Sequence, residues 1–221
     1  MIIKKIINSH SKTLIKKILG FFLLISPKFY WKYIDLENKK SHFDYIIQDQ
    51  HLEEVFNKME RVNSIFEFGC GFGDRLYNLS KNNPTIHEIH GYDINKNRIK
   101  KGNFLMKKQK IKNVKLFNSL NDINKKYDLV FTSMTLIYFK EKDILNILNK
   151  LIKKSNKYII LQEVLSESKF VHKSTLFAYN YSIILKKFGI NNFKINKISN
   201  PNWVRDKKVY GANIFIDLNN L

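Results

Sequence analysis

Residues 64–74 read Ser-Ile-Phe-Glu-Phe-Gly-Cys-Gly-Phe-Gly-Asp, and residues 91–93 read Gly-Tyr-Asp. The first stretch begins with a short apolar run of strand type, Ser64–Phe68. It continues through three glycines at alternate positions, 69, 71 and 73, into a helical pattern over Asp74–Lys81. Glycine lets the chain turn tightly and brings its backbone close to a ligand. The free N–H groups of the following helix favour an anionic group. A dinucleotide fingerprint needs the spacing G-x-G-x-x-G, and Asp74 stands where a pyrophosphate would lie, so the loop is badly suited to NAD. Asp93 ends the next strand, Glu88–Tyr92, at the place from which a carboxylate accepts hydrogen bonds from two vicinal ribose hydroxyls.

Outward from that core the chain alternates strand and helix. Helical patterns cover Gln48–Arg61, Lys96–Gln109, Lys142–Lys154 and Thr175–Phe188. Strand patterns cover Val114–Asn118, Tyr127–Thr132 and Lys157–Val164, and the chain closes with Asn192–Ile198 and Val209–Leu218. Such alternation predicts an α/β domain: a Rossmann-like, seven-stranded, mostly parallel sheet with helices on both faces. The last two strands have no helix between them and are expected to form an antiparallel edge hairpin. Ligands of such sheets bind beyond the carboxyl ends of the strands, where strand order reverses. That places the candidate site among Glu67 to Asp74, Asp93, Asn118, Ser119, Thr132 to Thr135 and Glu163.

Composition narrows the classes further. A 221-residue chain that is 44% apolar and 14% aromatic can bury a core, which excludes global disorder. A single cysteine, Cys70, excludes a disulfide scaffold and a paired-cysteine zinc site, and fits a reducing, cytoplasmic compartment. The net charge is +20, but Lys supplies 35 of the 39 bases and Arg only 4. Lys, Ile and Asn are favoured by AT-rich coding sequence, and phosphate-gripping surfaces favour the bidentate Arg. Nucleic acid therefore ranks below a small anionic or sugar-like substrate. His87 and His90 have no acid cluster beside them and read as surface residues, so no metal site is expected.

Residues 1–34 hold seven Lys and no acid. Residues 3–25 pattern as an amphipathic helix with an all-apolar end, Ile18–Ile25, and Ser26-Pro27 stops it. Eight apolar residues cannot span a bilayer, which needs about 20. The expected organisation is a basic helical extension over 1–47 and one domain over 48–221. The extension is expected to pack as a lid over the domain. The alternative is a peripheral contact with the inner face of the membrane. Phe29, Tyr30, Trp31 and Tyr33 suit either role.

On E-F-G-C-G-F-G at 67–73, G-Y-D at 91–93 and Y-D-L-V-F-T at 127–132, the chain resembles the class I S-adenosylmethionine-dependent methyltransferases over about residues 48–218. The resemblance implies S-adenosyl-L-methionine as cofactor. It implies that Glu67, Gly69, Cys70, Gly71 and Gly73 hold the methionine part and Asp93 the ribose. Ile94, Asn118 and Ser119 would flank the adenine, with Thr132 ending the strand beside it. Many members carry an acid where Asn118 and Ser119 stand. The turn Thr132-Ser133-Met134-Thr135 lacks the Asp/Asn-Pro-Pro-aromatic pattern of amino-methylating nucleobase enzymes. The Cys and Asp that cytosine-C5 and magnesium-dependent catechol-type enzymes require at their acceptor sites are also missing.

YDLVFTSMTLIYF, SNKYIILQEV and His172-Lys173 followed by Leu176-Phe177 are similar to a bacterial subgroup linked to surface-sugar (nonulosonic acid) biosynthesis. The subgroup has His at the position of Tyr138, and an acid followed by an aromatic where Glu163-Val164 stands. The expected function is methyl transfer to a small-molecule or sugar acceptor. An RNA-modifying methyltransferase and a non-catalytic binding protein are the alternatives. Glu163, His172 and Tyr138 are the candidate catalytic residues. Glu163 could take a proton or pair with a lysine, and His172 lies in an expected loop with a side chain suited to general-base work. Tyr138 could line the acceptor pocket. Trp203 and Arg205 are weaker candidates for binding a ring and an anion.

Overall fold

A computed structural model describes residues 26–33, 59, 61–168, 170–173, 176–198 and 209–219. The expected helices over 3–25 and 48–61, and Trp203 and Arg205, lie outside the described residues, apart from positions 59 and 61. The strands are β1 Ser64–Phe68, β2 Glu88–Tyr92, β3 Val114–Phe117, β4 Tyr127–Ser133, β5 Ser155–Ser166, β6 Phe170–Lys173, β7 Leu176–Tyr179, β8 Phe193–Lys197 and β9 Val209–Asp217. The helices are α1 Pro27–Tyr33, α2 Asp74–Asn82, α3 Lys96–Lys108, α4 Glu141–Lys154 and α5 Tyr181–Lys187.

β1, β4 and β5 are nearly continuous apolar runs because both faces of the sheet are covered. Alternate residues feed two cores. Ile65, Leu129, Phe131 and Ile160 pack with Leu76 and Leu79 of α2 and Ile99 and Met106 of α3. Phe66, Val130, Ile159 and Leu161 point the other way, onto Ile144, Leu148 and Leu151 of α4 and Ile184 and Leu185 of α5.

The parallel part of the sheet runs β3-β2-β1-β4-β5. Strand order reverses between β1 and β4, which fixes the ligand crevice at their carboxyl ends. β9 lies antiparallel to β5 along Tyr158–Ser166, and β8 pairs antiparallel with β9 outside it. The closing antiparallel pair is therefore as expected.

Among the described residues the sheet has nine strands rather than seven, because β6 forms before the region expected to be helical over Thr175–Phe188 and that region is itself divided. Leu176–Tyr179 is strand β7, paired antiparallel with β6 in the register His172↔Phe177. The helix starts only after Asn180, whose side-chain oxygen accepts from the Ile183 N–H at 3.2 Å as an N-cap. Leu165 pairs with Tyr210 of β9 and with Tyr179 of β7. The β6–β7 hairpin therefore continues the edge of β5 from the point where β4 ends. There Ala178 packs on Ile137 and Val164, and the Tyr179 hydroxyl donates to the Phe139 carbonyl at 2.6 Å.

Pro27 opens α1, a position where its missing N–H costs nothing. Ser26 Oγ accepts from the Phe29 N–H at 3.3 Å.

Candidate active site

β1 delivers Glu67 and then three glycines with left-handed backbone, Gly69 (φ 84°), Gly71 (φ 59°) and Gly73 (φ 81°). The loop is tied to β2, since the Gly69 and Cys70 N–H groups both donate to the Tyr92 carbonyl, at 2.7 and 3.0 Å. Gly69 has a steric reason as well, because the Thr135 side chain fills the place its Cβ would take. Above Gly71 the space is open, and a Cβ there would meet nothing within 4 Å.

Three carboxylates surround this loop. Glu67 is 1% exposed, and its Oε1 takes the Arg75 Nη1 at 2.7 Å while Oε2 has no hydrogen-bond partner. Burial pushes its pKa up to about 7 against the opposing pull of Arg75, and Asp93 and Asp74 add to the rise. Asp93 Oδ2 accepts from the Gly71 N–H at 3.0 Å and Oδ1 from the Asn95 N–H at 2.8 Å. Each carboxylate oxygen keeps a second lone pair for a ligand. Burial raises the Asp93 pKa, while Asn95, Arg98 and Gly71 oppose the rise. An orphaned buried acceptor, an open glycine face and a cluster of acids suit a ligand bearing cationic groups and a diol. They do not suit a pyrophosphate.

A cavity of about 540 Å³ opens beside the loop. Gly69, Asp93, Ile94 and Tyr138 of the expected residues line it. Phe68, Ser133, Met134 and Thr135, from the expected strand-end stretches, join them, as do Tyr92, Arg98, Leu120 and Trp31, which were not named as contacts. Trp31 belongs to the aromatic cluster that suited either a pocket lid or an interfacial anchor, and here it closes one side of the cavity. Its ring lies 4.8 Å from that of Tyr138, and the Arg98 guanidinium sits 5.0 Å from its centroid. Asn95 Nδ2 donates to the Trp31 carbonyl at 3.0 Å. Arg98 also faces the Phe72 ring at 5.6 Å, and its Nε and Nη2 are buried without hydrogen-bond partners. Met134 holds a positive φ of 52° in the turn after β4, a strained backbone of the kind that collects at functional sites. Burial and the Glu163 charge push the Tyr138 pKa up to about 12.

The remaining expected residues lie off the cavity wall. Cys70 turns into the core against Gly91, where an added Cβ would stand 2.7 Å from its sulfur; burial raises its pKa well above the usual thiol value. Asn118 is exposed, and Ser119 caps the short turn Leu120–Asp122 by accepting from the Asn121 N–H at 3.3 Å. Leu120, the next residue, is the one on the wall.

Thr132 is fully buried and donates to Glu163 Oε1 at 3.2 Å. That oxygen also accepts from the Thr135 and Leu136 N–H groups, at 3.1 and 3.0 Å. Glu163 therefore braces the Met134–Leu136 turn, and among the described residues it pairs with no lysine. Burial pushes its pKa up to about 7, and Oε2 has no partner. His172 lies in strand β6 and not in a loop; its side chain falls outside the described part. His90 is not a surface residue either. It is half-buried, with Nδ1 2.6 Å from the Tyr127 hydroxyl and Nε2 3.3 Å from Glu88. Among the described residues no group of three His, Cys, Asp or Glu side chains is arranged for a metal.

A sequence-family profile described as a methyltransferase domain matches residues 62–195. Among solved structures, the O-methyltransferase of a trans-AT PKS multienzyme of Brevibacillus brevis, in complex with S-adenosyl-L-homocysteine, superposes with a TM-score of 0.62. It is 13% identical over 78% of this chain and 73% of that one. Magnesium protoporphyrin IX methyltransferase from Synechocystis PCC 6803, with bound SAM, gives 0.56 at 15% identity, covering 91% and 96%. The N-terminal domain of EvdMO1, in the presence of S-adenosyl-L-homocysteine and D-fucose, gives 0.60 at 13% identity, covering 78% and 84%. No curated protein matches.

Proposed function

The chain belongs to the methyltransferase-domain family, and from that premise we propose that it transfers a methyl group from S-adenosyl-L-methionine to a small acceptor. The observation that carries the cofactor assignment is Asp93 on the cavity wall, its carboxylate holding the N–H of Gly71, whose own outer face is open. In this reading Glu67 takes the methionine ammonium, and the Gly69–Gly73 backbone gives the methionine part room. Asp93 accepts from the ribose hydroxyls. Ile94 and Leu120 lie against the adenine, with Asn118 and Ser119 shaping that turn from outside. When bound, the cofactor supplies an activated methyl group. The protein contributes alignment, exclusion of water and a place for the acceptor's proton.

Tyr138 and Met134 bound the acceptor space. Glu163 acts as a positioning residue, since it holds the Thr135 and Leu136 N–H groups and through them the wall that carries Tyr138. His172, on the hairpin beyond β4, is the proton acceptor in this reading.

The acceptor is a sugar or another small molecule of surface-polysaccharide biosynthesis. The α4 side of the cavity favours an acidic one, because Lys142, Lys150 and Lys154 line it against a single acid, Asp143. Residues 48–221 form the catalytic domain, and 1–47 the extension whose Trp31 closes the cavity. The protein acts in the bacterial cytoplasm.

Calorimetric titration tests the reading. S-adenosylhomocysteine should bind and NADH should not, and Glu67→Gln should weaken the former. Equal binding of the two, or unchanged affinity in the variant, overturns the cofactor assignment. Labelled cofactor with acidic and neutral sugars then tests the acceptor class.

A further inference from the structure

We propose that the β3 edge of the domain, with α3 as its outer face, docks on an anionic lipid surface. Between Ile94 and Asn121 the chain carries nine bases and no acid. The topology brings the lysines among them to one edge, because β3 is the end strand of the parallel order and α3 leads directly into it, while Arg98 turns to the cavity. On α3, Ile99, Gly102 and Met106 are buried against the sheet. Lys96, Lys100, Phe104 and Lys107 follow one another along the opposite face at helical spacing, all exposed, with Lys108 beside them.

Among the described residues none of these four lysines makes an ion pair. Lys96 and Lys100, one turn apart, repel each other. A counter-anion from outside relieves that repulsion. Phe104 stands in the middle of the stripe at 65% exposure, which water disfavours and a headgroup–acyl boundary accepts. On a helix about 20 Å long, lysines flanking one aromatic ring fit a plane rather than a groove.

A lipid surface is favoured over RNA by where the chain continues. α1 is held at the start of α3 through Trp31, Asn95 and Arg98, and Phe29 of α1 is 43% exposed. Residues 1–25 join α1 at that point. They carry five Lys, no acid and the apolar run Ile18–Ile25; the lysines serve any polyanion, while the apolar run suits the headgroup–acyl boundary and not RNA.

The test is co-sedimentation of the full chain with phosphatidylcholine vesicles, with and without phosphatidylglycerol, at rising salt. The protein should sediment only with the anionic vesicles and be released as salt screens the lysines. Lys100→Ser/Lys107→Ser/Lys108→Ser should weaken vesicle binding on the order of a hundredfold. Phe104→Ser alone should weaken it less and at every salt concentration. Both should keep wild-type affinity for S-adenosylhomocysteine, which reports an intact fold; should the triple variant lose it, Phe104→Ser alone decides. Equal binding to neutral vesicles, or variants that bind as wild type does, would overturn the proposal. So would an RNA oligonucleotide that binds at physiological salt while anionic vesicles do not.

Discussion

Asp93 Oδ2 accepts the Gly71 N–H at 3.0 Å, so the carboxylate at the end of β2 holds the glycine loop at the end of β1. The second oxygen holds the Asn95 N–H that begins α3. One side chain thus couples the two crossover connections that leave β1 and β2. Its loss should be felt in the fold as well as in the ligand.

Asp93→Ala should weaken S-adenosylhomocysteine binding by roughly 1–3 kcal/mol and lower the thermal midpoint as well. Calorimetry and thermal unfolding, run on the same preparation, check this. Lost affinity with an unchanged midpoint would mean that the bonds to Gly71 and Asn95 carry no structural weight.

Gly69 and Gly71 should respond differently to substitution. Gly69→Ala drives a Cβ into Thr135 and imposes a left-handed backbone on alanine, so folding should be lost or severely weakened. Gly71→Val meets open space and should leave a folded protein destabilised by about 1–3 kcal/mol whose ligand site is blocked. Circular dichroism melts and calorimetry separate the two outcomes. A Gly71→Val protein with wild-type affinity would make the loop a turn and nothing more.

Glu163 should make stability depend on pH. Its pKa is raised from the ordinary carboxylate value to about 7 in the folded state, so the folded protein holds a proton that the unfolded chain has lost. Stability then falls as pH rises from about 4.5 to about 7. Glu163→Gln removes this dependence, and the wild-type-minus-variant difference in midpoint across that window isolates it from Glu67, which shifts the same way. A flat difference would show that Glu163 is ionised when folded.

His90 should act in the opposite sense. Burial lowers its pKa below the ordinary value, with Lys125 and Lys115 adding to the effect and Glu88 opposing it. Its contribution to stability is present above pH ~6.5 and is lost as pH falls through the lower folded value. His90→Asn should flatten the acid side of the stability profile and leave ligand affinity unchanged. A variant with the wild-type acid profile would place the proton on another group.

Trp31→Ala should open the cavity on the α1 side. Ligand dissociation should quicken more than association, since the ring packs on Arg98 and Tyr138 without taking the place of Asp93. Stopped-flow mixing with S-adenosylhomocysteine measures both rates. Unchanged rates would remove α1 from the site.

Local sequence was enough for the parallel core. The apolar runs of β1, β4 and β5, the three alternate glycines and Asp93 each carry their signal within a few residues, because strand burial, left-handed turns and a strand-end acid are local properties. The motif likewise pointed to Glu67, Gly69, Gly71 and Asp93 as candidates, of which Gly69 and Asp93 line the cavity. Tertiary packing decided what spacing cannot express. Leu176–Tyr179 became a strand because β6 and the end of β5 were there to pair with it, so long-range hydrogen bonds overrode a short helical pattern. Glu163 braces Thr135 and Leu136 rather than lining the cavity, because the turn after β4 brings their N–H groups to it from 28 and 27 residues away. Trp31 and Arg98 are 67 positions apart and become neighbours only when α1 lies on α3. Contacts of that range depend on how elements stack, and no local pattern of residue types records them.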